Sequence, residues 1–244
     1  MSDENIRSFT DSRTQNEERP ALSVKRSALS VIWSSAWKLS SYRWKFFLGM
    51  LILAGILIAF PFFFNAIEAR DGFVFTDLVL QRIPARNVSV AVFFLIWSCC
   101  FILIIRIYRD PMMLLLTLWA YDVVTLVRMT CIGLISLNPP VGLIPLADPI
   151  TNLFYGQHYI THDLFFSGHT TTVFLIFLCL KKKGDRIYAL FASITLGILL
   201  LVQHVHYTID VLAAPVFTYA VYRLALLFTK RENRLVFSGQ KKEI

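Results

Sequence analysis

Residues 164–180 read LFFSGHTTTVFLIFLCL. Apart from the polar group Ser167–Gly168–His169 and three threonines, the run is apolar without alternation. A half-buried strand or a membrane-barrel strand would alternate, so this is helix. Five more continuous runs lie at Lys45–Phe64, Val88–Ile105, Met112–Leu137, Ile187–Val205 and Ile209–Phe228. A helix rises about 1.5 Å per residue and needs about 20 apolar residues to cross the hydrocarbon core. The expected fold class is therefore all-α: a polytopic membrane protein with six transmembrane helices. The run at Leu164–Leu180 is short at its polar start, and Met112–Leu137 is long enough to tilt or to pass one interface.

Composition supports this reading. The 244 residues are 56% hydrophobic and 16% charged, against about 25% charged in soluble domains. A disordered chain is excluded, and an ordinary soluble domain fits poorly. The formal charge of +8 would suggest nucleic acid in a soluble protein, but here it reads as an orientation signal, and no nucleic-acid partner is expected. Cys99, Cys100, Cys131 and Cys179 lie inside apolar runs without metal-type spacing. They read as small buried hydrophobes, with no disulfide and no metal expected. No Gly-rich nucleotide loop is visible.

Four regions are expected. Residues 1–20 are polar and of mixed charge, a disordered cytoplasmic tail. Over 21–43, Leu22, Leu29, Ile32, Trp33, Ala36 and Trp37 recur at helical spacing beside Lys25, Arg26 and Lys38. That pattern suggests an amphipathic helix in the interface, or else one packed on the cytoplasmic side of the bundle. Residues 44–229 form the six-helix membrane catalytic domain, and 230–244 a basic cytoplasmic tail. With no cleavable leader visible, the first run is expected to stay as an anchor. Nineteen of the 24 Lys and Arg fall in segments that six spans place on one side. Basic loops stay cytoplasmic, which puts both termini inside and the loops at 65–87, 138–163 and 206–208 on the periplasmic, lumenal or extracellular side.

Two polar stretches then meet at that outer level. One is Thr161–Thr170, which opens the fourth run; the other is His204–Asp210, between the fifth and sixth. Polar groups near hydrocarbon are costly, so a functional site is the default expectation. His206 and Asp210 are four apart and share a face on a helical turn. A carboxylate there holds one imidazole nitrogen and raises the nucleophilicity of the other. His169 is placed to protonate a leaving oxygen and then to deprotonate the incoming one. Ser167 and Gly168 mark a helix N-terminus suited to a phosphate, with Gly168 allowing close approach. Arg128, near the outer end of the third run, is placed to pair with a phosphoryl group; the plainer reading is snorkelling or a carboxylate partner. Arg223, near the cytoplasmic end of the last run, reads as snorkelling.

These segments resemble the sphingomyelin synthase-like branch of the type-2 phosphatidic acid phosphatase superfamily. Asp163, Ser167, Gly168, His169 and Thr170 match its Gly-Asp-x-x-x-Ser-Gly-His-Thr segment. His204, His206, Tyr207, Thr208, Asp210 and Val211 match its His-x-His-Tyr-Thr-x-Asp-Val segment. The resemblance implies a triad of His169, His206 and Asp210, with Arg128, Ser167, Gly168, Asp163, His204 and Tyr207 toward the substrate, and no metal or cofactor. It implies membrane lipids as partners: a phospholipid donor and a ceramide or diacylglycerol acceptor. Phe166 stands where the wider phosphatase signature has Pro, and Leu199 and Leu200 replace its Ser-Arg pair. Those departures favour the synthase-like branch. Asp77 and Pro84 only echo the Pro-rich Asp segment of the eukaryotic synthases.

Two other functions remain open on the residues alone. One is a lipid phosphate phosphatase with water as acceptor at the same site. The other is a non-enzymatic transporter or metal-binding protein using His204, His206 and Asp210, which leaves His169 without a role and lacks visible inverted repeats. Asp122, six residues from Arg128 on another face, reads as functional or as a hydrogen bond to a neighbouring helix. His158, His162, Asp148 and Asp163 lie in or beside the outer loop; one of them is a candidate for the head group, while His158 and Asp148 read better as solvated loop residues. Lys181–Arg186 reads as a solvated cytoplasmic loop, with contact to anionic lipids as the alternative.

Overall fold

The computed structural model describes residues 29–146 and 160–240. Among these, one helix falls on each expected run: α1 (Ser40–Glu68), α2 (Ser89–Ile107), α3 (Pro111–Leu134), α4 (Gly168–Cys179), α5 (Lys183–Val202) and α6 (Thr208–Gln240). The extended pairing among the described residues is one parallel bridge, Phe73 to Leu137. The fold is an all-α polytopic membrane fold.

Two expected boundaries move. Residues 29–38 are helical, but the chain breaks at Leu39 and Ser40–Arg43 already belong to α1. The stretch 21–43 is therefore not one separate helix, and its first residues lie outside those described, as does the tail at 1–20. At the other end, residues 230–240 continue α6 as helix.

Five helices, α1, α2, α3, α5 and α6, are long and apolar enough to cross a membrane. The fourth expected run gives a shorter apolar helix. α4 has 12 residues, about 18 Å of helix, against a hydrocarbon core of about 30 Å. The cause is the polar start of its run: Leu164–Ser167 stays non-helical, and Ser167 caps the helix instead of joining it. Irregular backbone at membrane depth survives only when protein surrounds it. That condition is met here. Leu164, Phe166 and Ser167 are buried, and α4 packs against α2, α3, α5 and α6. Phe166 stacks on Phe217 of α6 with ring centroids 4.7 Å apart.

α3 is the other central element. Its start follows from sequence: Asp110 caps it, accepting from Met112 N at 3.0 Å and Met113 N at 3.1 Å, and Pro111 occupies the first turn, where no amide is missed. Its end is capped from afar. Arg70, just past α1, donates to the carbonyls of Gly133 at 2.8 Å and Ile132 at 2.9 Å, as a cation at a helix C-terminus should. α1 is peripheral. It packs on α3, where Gly49 gives Leu118 room; an added Cβ would lie 2.8 Å from Leu118 Cδ2. Its outer face exposes Leu51, Ile58 and Phe62, as a lipid-facing helix must. The Lys45–Glu232 ion pair, at 2.8 Å, ties α1 to α6.

The loop after α1 is fixed to the end of α3 by close backbone contact. Phe73 N donates to Ser136 O, and Asn138 N to Phe73 O, both at 3.0 Å. Gly72 makes this possible, because an added Cβ would sit 2.6 Å from the Leu137 carbonyl carbon. Gly72→Ala should therefore destabilise the protein by about 1–3 kcal/mol through overpacking against backbone. Gly55→Ala, on open space in α1, should be tolerated. Thermal unfolding of the two variants in the same detergent checks the contrast; equal midpoints would refute it.

Candidate active site

The two polar stretches form the starts of α4 and α6, and the backbone ties them together. Ser167 N donates to the main-chain carbonyl of Asp210 at 3.1 Å. Ser167 is the cap of α4: its hydroxyl accepts from Thr170 N at 3.4 Å and from the Thr170 hydroxyl at 3.1 Å. Asp210 sits in the first turn of α6, and its Oδ2 accepts from Tyr207 N at 3.0 Å. That is the return half of a capping box. One residue thus fixes both helix starts.

His206 packs inside this junction. Its Nδ1 lies 3.7 Å from Asp210 Oδ2, with the side chains 2% and 0% exposed. The separation exceeds a hydrogen bond, but such contacts often tighten only when substrate is present. The His169 ring, from the first turn of α4, lies 6.3 Å from the His206 ring between centroids. Phe93 of α2 meets His169 edge-on at 6.4 Å.

Arg128 arrives from α3. Its Nε donates to the Phe166 carbonyl at 2.7 Å, and a terminal nitrogen lies 2.7 Å from Asp163 Oδ1. The guanidinium rests on Gly168, where an added Cβ would stand 2.7 Å from the Arg128 Cζ. The small residue at 168 therefore makes room for Arg128. A full cation beside the first turn of α4 adds to the partial positive charge of the helix N-terminus, an arrangement chemically suited to an anion such as a phosphoryl group.

The structure thus gathers His169, His206, Asp210, Arg128, Gly168, Ser167 and Asp163. Three expected substrate contacts are spent elsewhere. The Ser167 hydroxyl serves the cap. Tyr207 is 1% exposed; its hydroxyl donates to Asn138 O at 2.9 Å and accepts from Phe75 N at 3.2 Å. His204, at φ 56°, has its ring nitrogens 3.0 Å from Val141 O and 2.9 Å from Ile83 O. Both residues brace loops. Asp163 is held by Arg128.

His162, a candidate for the head group, is also a brace. Glu68, at the end of α1, accepts from the amides of Thr161 and His162 and from the Thr161 hydroxyl, and lies 3.0 Å from His162 Nδ1. His162 Nε2 lies 3.2 Å from Asn138 Oδ1, which accepts from Gly72 N. His158 and Asp148 lie outside the described residues. Asp122 is fully buried opposite Gly49 of α1, and neither carboxylate oxygen has a hydrogen-bond partner among the described residues. The expected bond to a neighbouring helix is not made there.

Sequence reading missed the residues that hold the frame. Gln203 is buried; its amide donates to Ser89 Oγ at 2.8 Å and Ile144 O at 3.2 Å, and its oxygen accepts from Val88 N at 3.1 Å. Asp77 caps α6 from a distant loop, accepting from Thr208 N at 2.6 Å and Thr208 Oγ1 at 3.0 Å. An acidic residue in the loop between α1 and α2 was the visible signal; which amides it serves was not. Burial pulls the Asp77 carboxyl upward. The hydrogen bonds from Thr208, Leu80 and Val79 outweigh that and hold it below the usual carboxylate range. Burial raises the Tyr207 phenol, with Asp210 and Asp77 adding to the effect, so it stays a neutral donor.

The PAP2 superfamily C-terminal family matches residues 162–226. The matched segment holds both His stretches, α4 and α5, and it is similar to that superfamily without separating its branches. No curated protein is significantly similar to the chain.

Asp77→Ala removes the cap of α6 and should cost about 1–2 kcal/mol near neutral pH. A carboxyl depressed in the folded state stabilises above its unfolded pKa and loses that contribution as pH falls through the folded one. The gap between wild type and Asp77→Ala should therefore shrink in acid. Unfolding midpoints across a pH series test this; a gap that stays constant or widens below the carboxylate range contradicts it.

Proposed function

We propose that the chain is an integral membrane lipid phosphotransferase. In this reading it moves a phospho-head group from a glycerophospholipid to the hydroxyl of ceramide or diacylglycerol. The observation that carries the proposal is the buried His206–Asp210 pair, facing His169 at the start of α4, against which Arg128 of α3 packs. The family match over both His stretches supports phosphatase or phosphotransferase chemistry.

With Nδ1 turned to Asp210, His206 attacks phosphorus through Nε2. The P–N bond forms as the P–O bond to diacylglycerol breaks, and His169 gives its proton to the leaving oxygen. The acceptor hydroxyl then passes its proton to His169, its oxygen bonds to phosphorus, and His206 is released. Arg128 and the amides opening α4 stabilise the equatorial oxygens; such positioning supplies most of the rate in phosphoryl transfer. Transfer needs water held back, and apolar packing supports that: Phe166, next to Ser167, is fully buried and stacks on Phe217. The basic residues support a site on the periplasmic, lumenal or extracellular side with both termini cytoplasmic.

The second reading keeps every residue role and uses water as acceptor, giving a lipid phosphate phosphatase. The family match favours it as much as transfer. A metal-binding transporter is a weaker fit, because both His204 nitrogens already face main-chain carbonyls.

His206→Ala should abolish turnover, and His169→Ala should lower it by about 10²–10⁴-fold. The assay uses purified protein and head-group-labelled phospholipid, with and without ceramide or diacylglycerol. Label appearing in a new lipid only when acceptor is present supports transfer; release of free phosphate or phospho-head group regardless of acceptor supports hydrolysis. Wild-type turnover by His206→Ala would overturn the mechanism for both.

A further inference from the structure

A second polar feature, apart from the His/Asp site, lies at the other end of the bundle. A cavity of about 730 Å³ opens between α3, the end of α4 and the later half of α6. Met113 and Leu226 contribute to an apolar wall, while Lys181, Arg186, Arg223 and Lys230 line it as four cations; no carboxylate lines it among the described residues. Lys181 is paired with Asp110. Arg186 and Arg223 lie against the rings of Phe177 and Tyr219, at 5.2 and 5.8 Å, and Asp185 is taken by Arg106 at 2.5 Å. Three positive charges therefore have no carboxylate partner among the described residues.

Depth tells what this charge is for. Counting from Thr208 at about 1.5 Å per residue, Arg223 lies about 22 Å and Lys230 about 33 Å along α6. The hydrocarbon core is about 30 Å thick, so these cations bracket its far boundary. Lipid phosphates lie at that level. Snorkelling alone explains one Arg; it does not explain cations from α4–α5 and α6 converging on one cavity with an apolar wall.

We propose that this cavity is a second lipid site, which holds an anionic phospholipid by its phosphate and lays one acyl chain along α3 and α6. The phosphate meets Arg186, Arg223 and Lys230, and the chain passes Met113 and Leu226. The site is separate from the chemistry proposed for His206, since Met113 and Arg128 are 15 residues apart on α3, about 22 Å along its axis.

Native mass spectrometry of the full-length protein in detergent, with phosphatidylglycerol or phosphatidylcholine added, tests this. Wild type should retain phosphatidylglycerol in preference to phosphatidylcholine. Each cation near a membrane surface changes lipid affinity about fivefold. The Arg223→Gln/Lys230→Gln pair should therefore bind phosphatidylglycerol about 25-fold more weakly, and Arg186→Gln, on another helix, about fivefold more weakly. Arg128→Ala should keep the preference, which separates this site from the proposed donor pocket. Equal retention of the two lipids by wild type, or undiminished phosphatidylglycerol binding by folded double and single variants, overturns the proposal. Displacement of phosphatidylglycerol by an equal concentration of inorganic phosphate also overturns it, in favour of a free-phosphate site.

Discussion

Asp210 is the residue on which the arrangement turns. Its carbonyl takes the amide of Ser167, so the start of α4 cannot drift from the start of α6. Its carboxylate takes the amide of Tyr207, which fixes the turn before α6, and the same oxygen faces His206. An acidic residue in the first turn of a helix is favourable on dipole grounds alone. The side chain that stabilises a helix start locally is thus also the one that faces a buried imidazole, 3.7 Å away.

The second constraint is backbone satisfaction. A site cut into a membrane bundle interrupts helices, and each interruption frees amides and carbonyls that lipid cannot satisfy. The protein supplies the partners from loops distant in sequence. Asp77 serves Thr208, Glu68 serves Thr161 and His162, Gln203 serves Val88 and Ile144, and Arg70 covers the end of α3. Tyr207 and His204 belong to this set. Polar residues beside the His/Asp pair here keep irregular backbone in place around it.

The two ends of the bundle differ in kind. The His/Asp end is closed by hydrogen bonds between loops, and Arg128 is paired there with Asp163. The opposite end carries cations in excess of acids around an open cavity. A reaction centre needs fixed groups in low dielectric; a lipid phosphate at an interface needs only net charge at the right depth.

Much was legible in the chain itself. Continuous apolar runs predicted the six helices, because the backbone in lipid must satisfy its own hydrogen bonds. The spacing of His206 and Asp210 predicted that the two side chains would meet, since that signal is local. Tertiary structure alone decided the rest. It showed that the helical part of the fourth run, α4, is shorter than the hydrocarbon core, because the polar start of the run is used as a cap inside the protein. It turned Gly168 into the seat of Arg128 and Tyr207, His204 and His162 into braces. Those assignments depend on which carbonyl or carboxylate lies opposite a side chain, and residues 60 to 130 positions away supply most of them. Local spacing holds no information about such partners; helix packing creates it.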